Sequence, residues 1–184
     1  VQADLADLGE CKQLIDSVVK KFGRINVLVN NAGVSTPAAS ELSLEKRWQT
    51  MMDVNLRAPF FLSTYARPHM PKGGCIVNLS SIRAFKPKNV LSVYGTSKAG
   101  LNYLTRSLAR DFAPKVRVNA VAPGYVRTEM VEKFYGNKMD QLEKETPIGR
   151  MIRPEEIASA VVFLSENDAI TGQTLVVDGG YLIS

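Results

Sequence analysis

Four short apolar runs punctuate this chain, each separated from the next by enough residues to form a helix: Ile25 to Val29, Cys75 to Leu79, Val116 to Val121 and Thr174 to Val177. Runs of this length without polar alternation are the pattern of strands buried on both faces. Between them, apolar residues recur at helical spacing, as in Leu8, Cys11, Leu14, Ile15, Val18, Val19 and Phe22. Strands alternating with amphipathic helices demand a parallel sheet, because the chain must cross back over a sheet face before laying down the next strand. Val1 to Asp4 reads as the end of a further strand. The expectation is an α/β fold.

The helix boundaries carry their own chemistry. Asp7 followed by Glu10 makes a start like a capping box, and Gly23 ends that helix. Ser43 is expected to cap a second helix carrying Trp48, Met51, Met52, Leu56 and Phe60, and a long helix is expected from Ser92 to Phe112. Pro154-Glu155-Glu156 opens another, with proline in the first turn and acids at the positive dipole end. Between Arg127 and Gly149 the regular order breaks, and this excursion reads as a lid. Neither repeats nor linkers interrupt the chain, so residues 1–184 are expected to form one domain.

Composition narrows the function classes. The hydrophobic and charged fractions, 45% and 22%, suit an ordinary globular protein. No apolar run reaches the roughly eighteen residues of a membrane span, and no basic-then-apolar leader is visible, so a cytoplasmic protein is expected. The net charge of +5 suits a phosphorylated cofactor, but its basic residues are scattered along helices, which argues against nucleic acid. Cys11 and Cys75 are expected to be buried free thiols, and no metal site is expected.

Reactive chemistry concentrates in Ser81 and in Tyr94-Gly95-Thr96-Ser97-Lys98. Positions i and i+4 share a helix face, so Tyr94 and Lys98 point into one pocket. A neighbouring ammonium favours phenolate and is expected to lower the tyrosine pKa. Such a tyrosine exchanges a proton with a ketone or alcohol oxygen, and Ser81, following a strand, can bond the same oxygen. His69, the one histidine, sits near a helix end and is not expected to act.

These residues sit among further ordered motifs: Asn30-Asn31-Ala32-Gly33, Asn55 within Asp53-Val54-Asn55-Leu56, and Pro123-Gly124-Tyr125-Val126-Arg127-Thr128. Together they resemble the classical short-chain dehydrogenase/reductase family along essentially the whole chain. The resemblance implies a Rossmann-type doubly wound parallel sheet and an NAD(P)-dependent oxidoreductase interconverting a secondary alcohol and a ketone. It implies Tyr94 as the acid/base, Ser81 as the residue polarising the substrate oxygen, and Lys98 as both pKa modulator and ribose ligand. Asn55 resembles the family's fourth catalytic residue, and a kink is expected in its helix because asparagine competes for local backbone hydrogen bonds.

The cofactor, NAD or NADP, would then lie against Asp4, Leu5, Asn30, Ala32, Gly33, Tyr94, Lys98, Pro123, Gly124, Val126 and Thr128. Asn78, Asn119 and Asp178 are expected to be structural, and Arg83 to be a solvated loop residue or a contact for an anionic or polyhydroxylated substrate. The partner implied is a small carbonyl or alcohol substrate, with a homotetramer or homodimer as the assembly.

One family element is missing from these residues. A dinucleotide fold begins with a strand, a glycine-rich turn and a helix that receives the pyrophosphate. This sequence holds no such turn and starts in what the family counts as its third strand, so the family's first two strands are not in it. Three expectations follow: part of a complete reductase, a truncated chain without dinucleotide binding that acts as a non-catalytic subunit partner, or a rearranged domain with another ligand. If the two strands are simply deleted, Ile25 to Val29 becomes an exposed apolar sheet edge, unless it pairs directly with the strand ending at Asp4.

Overall fold

The computed structural model of the protein describes residues 1–36 and 41–184, and for residues 130, 133, 134 and 137 the backbone alone. The apolar runs form one parallel sheet of β1 (Val27–Asn30), β2 (Gly74–Leu79), β3 (Val116–Pro123) and β4 (Thr174–Val177), in the order β1-β2-β3-β4. Asn30 lies opposite Asn78, Asn78 opposite Ala120, and Pro123 opposite Val177, so the strand carboxyl ends come level along one edge. β2 is buried at every position, as its unbroken apolar run requires. At the β1 edge, by contrast, Val27 and Val29 are 43% and 40% exposed. Val1 to Asp4 is not a strand: it pairs with no neighbour, and a strand exists only through its ladder.

Seven helices are assigned among the described residues: α1 (Leu8–Phe22), α2 (Leu44–Met52), α3 (Ala58–Ala66), α4 (Ser92–Phe112), α5 (Glu129–Tyr135), α6 (Met139–Lys144) and α7 (Pro154–Glu166). The Asp7 carboxylate accepts from the Glu10 N–H at 3.0 Å, and Gly23, at φ 77°, closes α1. Glu10 reaches back to the Asp4 N–H at 2.7 Å, one turn further than a capping box would take it. Phe22 departs from the expected apolar stripe; it is 65% exposed, with the Lys21 ammonium over its ring.

Each sheet face has its own core. Ile76, Val116 and Val118 pack with Cys11 and Ile15 of α1, Leu62 of α3, and Leu108 and Phe112 of α4. The opposite side chains, Cys75, Val77, Leu79 and Val121, meet Ile157, Ala160 and Leu164 of α7. Alternation along β2 and β3 therefore divides the core into two layers, as strand pleating dictates. The α/β, Rossmann-type reading stands. A third cluster, of Ile82, Tyr125, Leu142, Met151 and Tyr181, lies beyond the carboxyl edge and holds α6 down.

Several polar side chains enter this core by bonding to backbone or to one another. Arg117, on the α7 side of β3, donates to the carbonyls of Leu164 and Ser165, both at 2.8 Å, and so caps the end of α7. Asn119 bonds backbone, as expected: it donates to the Ile170 carbonyl at 2.8 Å and accepts from the Gln173 N–H at 3.0 Å, fixing the approach to β4. Asn78 bonds side chains instead, accepting from Asn30 and donating to Thr105. Asp178 accepts from the N–H groups of Gly180 and Leu182, anchoring the last turn. Asn119→Ala removes the partner of two part-buried backbone groups and should lower stability by about 1–2 kcal/mol, measured as a shifted urea midpoint at unchanged m-value.

Candidate active site

The segments that follow β1, β2 and β3 contribute to one cleft of about 720 Å³ above the carboxyl edge of the sheet. After β1 come Asn31, Ala32 and Gly33; after β2, Ser80 and Ser81; after β3, Gly124, Val126 and Thr128; α4 brings Tyr94 and Lys98. Glycine is required at one of these positions and closely packed at another. A Cβ on Gly124 would stand 2.7 Å from the Asp178 Cα, and one on Gly33 would stand 3.3 Å from the Lys98 ammonium.

The helix that carries Asn55 does deviate there. Residues 53–57 form a π-turn between α2 and α3, closed by the Ala58 N–H reaching the Asp53 carbonyl. The cause is not local competition for backbone hydrogen bonds. The fully buried Asn55 amide donates to the Val34 carbonyl at 2.9 Å and to the Ser97 hydroxyl at 3.1 Å, and accepts from the Val34 N–H at 2.8 Å. It thus ties the loop after β1 to the α4 turn between Tyr94 and Lys98.

Ser81 caps a short 3₁₀ turn by accepting from the Arg83 N–H at 3.1 Å, and its hydroxyl lies near enough to the Tyr94 phenol to favour the phenolate. Burial raises the Tyr94 pKa, opposed by the neighbouring Ser81 hydroxyl and by the charge of Arg83. This reverses the lowering expected from Lys98. The Lys98 ammonium lies 5.8 Å from the centre of the Tyr94 ring and donates to the Leu79 carbonyl at 2.7 Å, so it addresses the ring face rather than the phenol oxygen. Lys98 is itself 3% exposed, and burial brings its pKa down from 10.5 to about 8.

Ser81, Tyr94, Gly124 and Val131 also line a second, smaller pocket of about 100 Å³, with Ile82, Leu91, Tyr125 and Tyr135 around it. The phenol and the hydroxyl therefore stand at the junction of a large cleft and a small apolar chamber. α5 covers both through Val131, which places part of the excursion after Arg127 over the site.

Three expected cofactor residues do not reach the cleft lining. Asn30 is turned into the core, donating to Ser63 at 3.2 Å and Asn78 at 2.8 Å. Asp4 accepts from the Ala6 N–H at 2.9 Å and closes its own turn, and Leu5 packs against the α1 core. Arg83 is neither solvated nor free: 7% exposed, it stacks against Tyr125 and Tyr181. Conversely, Ile157, Ala158, Val161 and Val162 of α7 form a cleft wall that the sequence offers only as an apolar helical stripe.

The comparisons with known proteins agree with this geometry. A family model described as enoyl-(acyl carrier protein) reductase matches residues 1–182. The 3-oxoacyl-acyl-carrier-protein reductase FabG of Thermotoga maritima is 36% identical over 98% of this chain and 75% of its own length. The chain belongs to the classical short-chain dehydrogenase/reductase family. Among solved structures, the ligand-free aldohexose dehydrogenase of Thermoplasma acidophilum superposes with a TM-score of 0.94 at 36% identity, over 100% of this chain and 78% of that one. ElxO with NADP bound reaches 0.90 at 33% identity, with the same coverage. Members of this family are oxidoreductases, and the strand-end cleft is where a doubly wound sheet binds its ligand.

The depressed Lys98 pKa has a thermodynamic signature. Below pH 8 the folded and unfolded chains both carry the ammonium, and the burial penalty is present in full. As pH rises from about 8 toward 10.5, the folded chain sheds a proton that the unfolded chain keeps, so stability is gained. Relative to Lys98→Met, wild-type stability should rise by up to about 3 kcal/mol across that window, followed by urea denaturation of both proteins. Parallel pH profiles would refute the burial of a charged Lys98.

Proposed function

We propose that this chain is the catalytic part of an NAD(P)-dependent oxidoreductase that interconverts a secondary alcohol and a ketone, with residues 1–184 acting as one domain. The observation that carries the reading is that Ser81 and Tyr94 together line both the cleft and the small pocket, at their junction. An oxygen placed between the two hydroxyls accepts from both. In reduction, Tyr94 gives its proton to the developing alkoxide; in oxidation, it takes the proton from the alcohol. Because burial raises its pKa, Tyr94 is a phenol at neutral pH and stands ready as the acid.

The cleft suits the nicotinamide end of a dinucleotide. Ala32, Gly33, Pro123 and Gly124 let main chain approach closely, the α7 face is apolar, and the Lys98 ammonium offers donors beyond the one spent on Leu79. Ala32, Gly33, Lys98, Val126 and Thr128 would hold it, and when bound it supplies or accepts the hydride. Support comes from ElxO, whose structure holds NADP. Asn55 acts as a positioning residue, keeping Val34 and the Ser97 turn in place beside Lys98. Assembly into a homodimer or homotetramer would use the face of α2, α3 and α4, where Phe60 and Tyr103 are exposed.

Tyr94→Phe should cut turnover by about 10²–10⁴ while NADH and NADPH affinities, followed by fluorescence, stay within about twofold. Alcohol oxidation by the unaltered protein should climb as pH rises above neutrality, since the base form of Tyr94 is scarce below its raised pKa. Turnover that survives in Tyr94→Phe would remove the tyrosine from the chemistry.

A further inference from the structure

On its far side the small pocket borders a groove of about 860 Å³, with Arg83, Leu91 and Tyr135 forming the wall common to both. Five cationic side chains line this groove: Arg83, Lys86, Lys88, Lys138 and Lys144. One carboxylate, Glu145, faces them, and it accepts from the Gln141 amide at 2.9 Å. Among the described residues no carboxylate pairs with any of the five cations.

Two of the cations converge on one neutral atom. The Tyr125 phenol oxygen lies 2.8 Å from a terminal nitrogen of Arg83 and 2.6 Å from the Lys88 ammonium. Burial pushes the Tyr125 pKa up to about 12, so the oxygen they share carries no negative charge at neutral pH. Aromatic faces offset part of the repulsion: Arg83 lies over Tyr125 and Tyr181, Lys86 over Tyr181, and Lys88 over Tyr125 and Tyr135. Lys86 is already committed, donating to the backbone oxygens of Tyr181 and Ser184. Lys88, Lys138 and Lys144 keep donors for a ligand, with the buried Arg83 charge behind them.

We propose that this groove binds an anionic group, carboxylate or phosphate, on the same small substrate whose carbonyl meets Ser81 and Tyr94. The inference rests on the alcohol–ketone reading above and adds the substrate class to it. A small molecule is favoured over a macromolecule because the groove adjoins the reaction pocket across Arg83, Leu91 and Tyr135, within reach of one ligand that passes these side chains. The apolar chamber takes the carbon skeleton next to the carbonyl, and the anion lies past Arg83. Attraction of this kind acts strongly where the charges face low-dielectric walls and weakens with salt.

The test pairs each substrate with its neutral twin in the full chain: an oxo-carboxylate with its methyl ester, and a phosphorylated ketone with its unphosphorylated parent. The kcat/KM of the anion should exceed that of its twin by on the order of tenfold. The preference should shrink toward one in the Lys138→Met/Lys144→Met double variant and at high salt. The ratio within one protein cancels any general loss of folded enzyme. Whichever pair shows the preference separates carboxylate from phosphate.

Turnover of the neutral twins without preference for either anion overturns the groove assignment and leaves the redox reading intact. No turnover of any ketone, with calorimetry showing that the anion binds and its twin does not, supports the groove and overturns the redox reading. A preference that persists undiminished in the double variant, or that appears only when the acyl group is carried on an acidic protein, overturns the proposal.

Discussion

In a parallel sheet every connection must return across a face, so all the carboxyl ends collect at one edge and all the amino ends at the other. Everything else in this structure depends on that constraint. It brings Asn31 to Gly33, Ser81 and Gly124, which are far apart in the chain, to the rim of one cleft. It also explains the apolar strands: β2 and most of β3 are sealed by helices on both sides, so each residue faces protein whichever way it points. The two cores then separate by strand alternation alone.

The constraint brings segments near one another, and a small set of polar bonds decides their final positions. Asn55 joins the loop after β1 to α4 with three hydrogen bonds, none of them to its own helix. A side chain that reaches out of a helix in this way fits the π-turn found there, because the widened turn accompanies its rotation toward Val34. The Lys98 bond to the Leu79 carbonyl similarly ties α4 to the end of β2. These are buried contacts, so each holds its partner firmly and makes its loss costly. The site is rigid where chemistry needs position, and the apolar chamber beside it is shaped by Tyr125 and Tyr135, packed edge to face at 5.5 Å.

Electrostatics is where local reasoning from sequence departs furthest from the folded molecule. Four residues of separation on a helix place Tyr94 and Lys98 on one face, and they do meet, at 5.8 Å from ammonium to ring centre. The sign of the Tyr94 shift nonetheless follows its burial, since desolvation disfavours the phenolate and the ammonium is directed at Leu79. Arg83 shows the same gap. Read alone, it is a loop cation in search of solvent or an anion; folded, it is a buried plate between two tyrosines. Neither outcome is visible without knowing which surfaces come together.

Periodicity and residue type determined the strands, the long helix, the cap at Asp7, the opening of α7 at Pro154, and the presence of Ser81, Tyr94 and Lys98 in one pocket. Those features depend on spacing of a few residues, and spacing is written in the chain. The structural role of Asn119 and Asp178 was also legible, because short polar side chains beside strand ends have few partners other than backbone. Only tertiary structure decided that Asn30 turns inward to Ser63 and Asn78 while Asn31 faces the cleft, since a one-residue step along a strand exchanges faces. It alone made α7 a cleft wall, left Val1 to Asp4 unpaired, and gathered the cations of residues 83–88 with Lys138 and Lys144. Each of these requires segments tens of residues apart to meet, and that distance is set by the packed sheet and not by any local pattern.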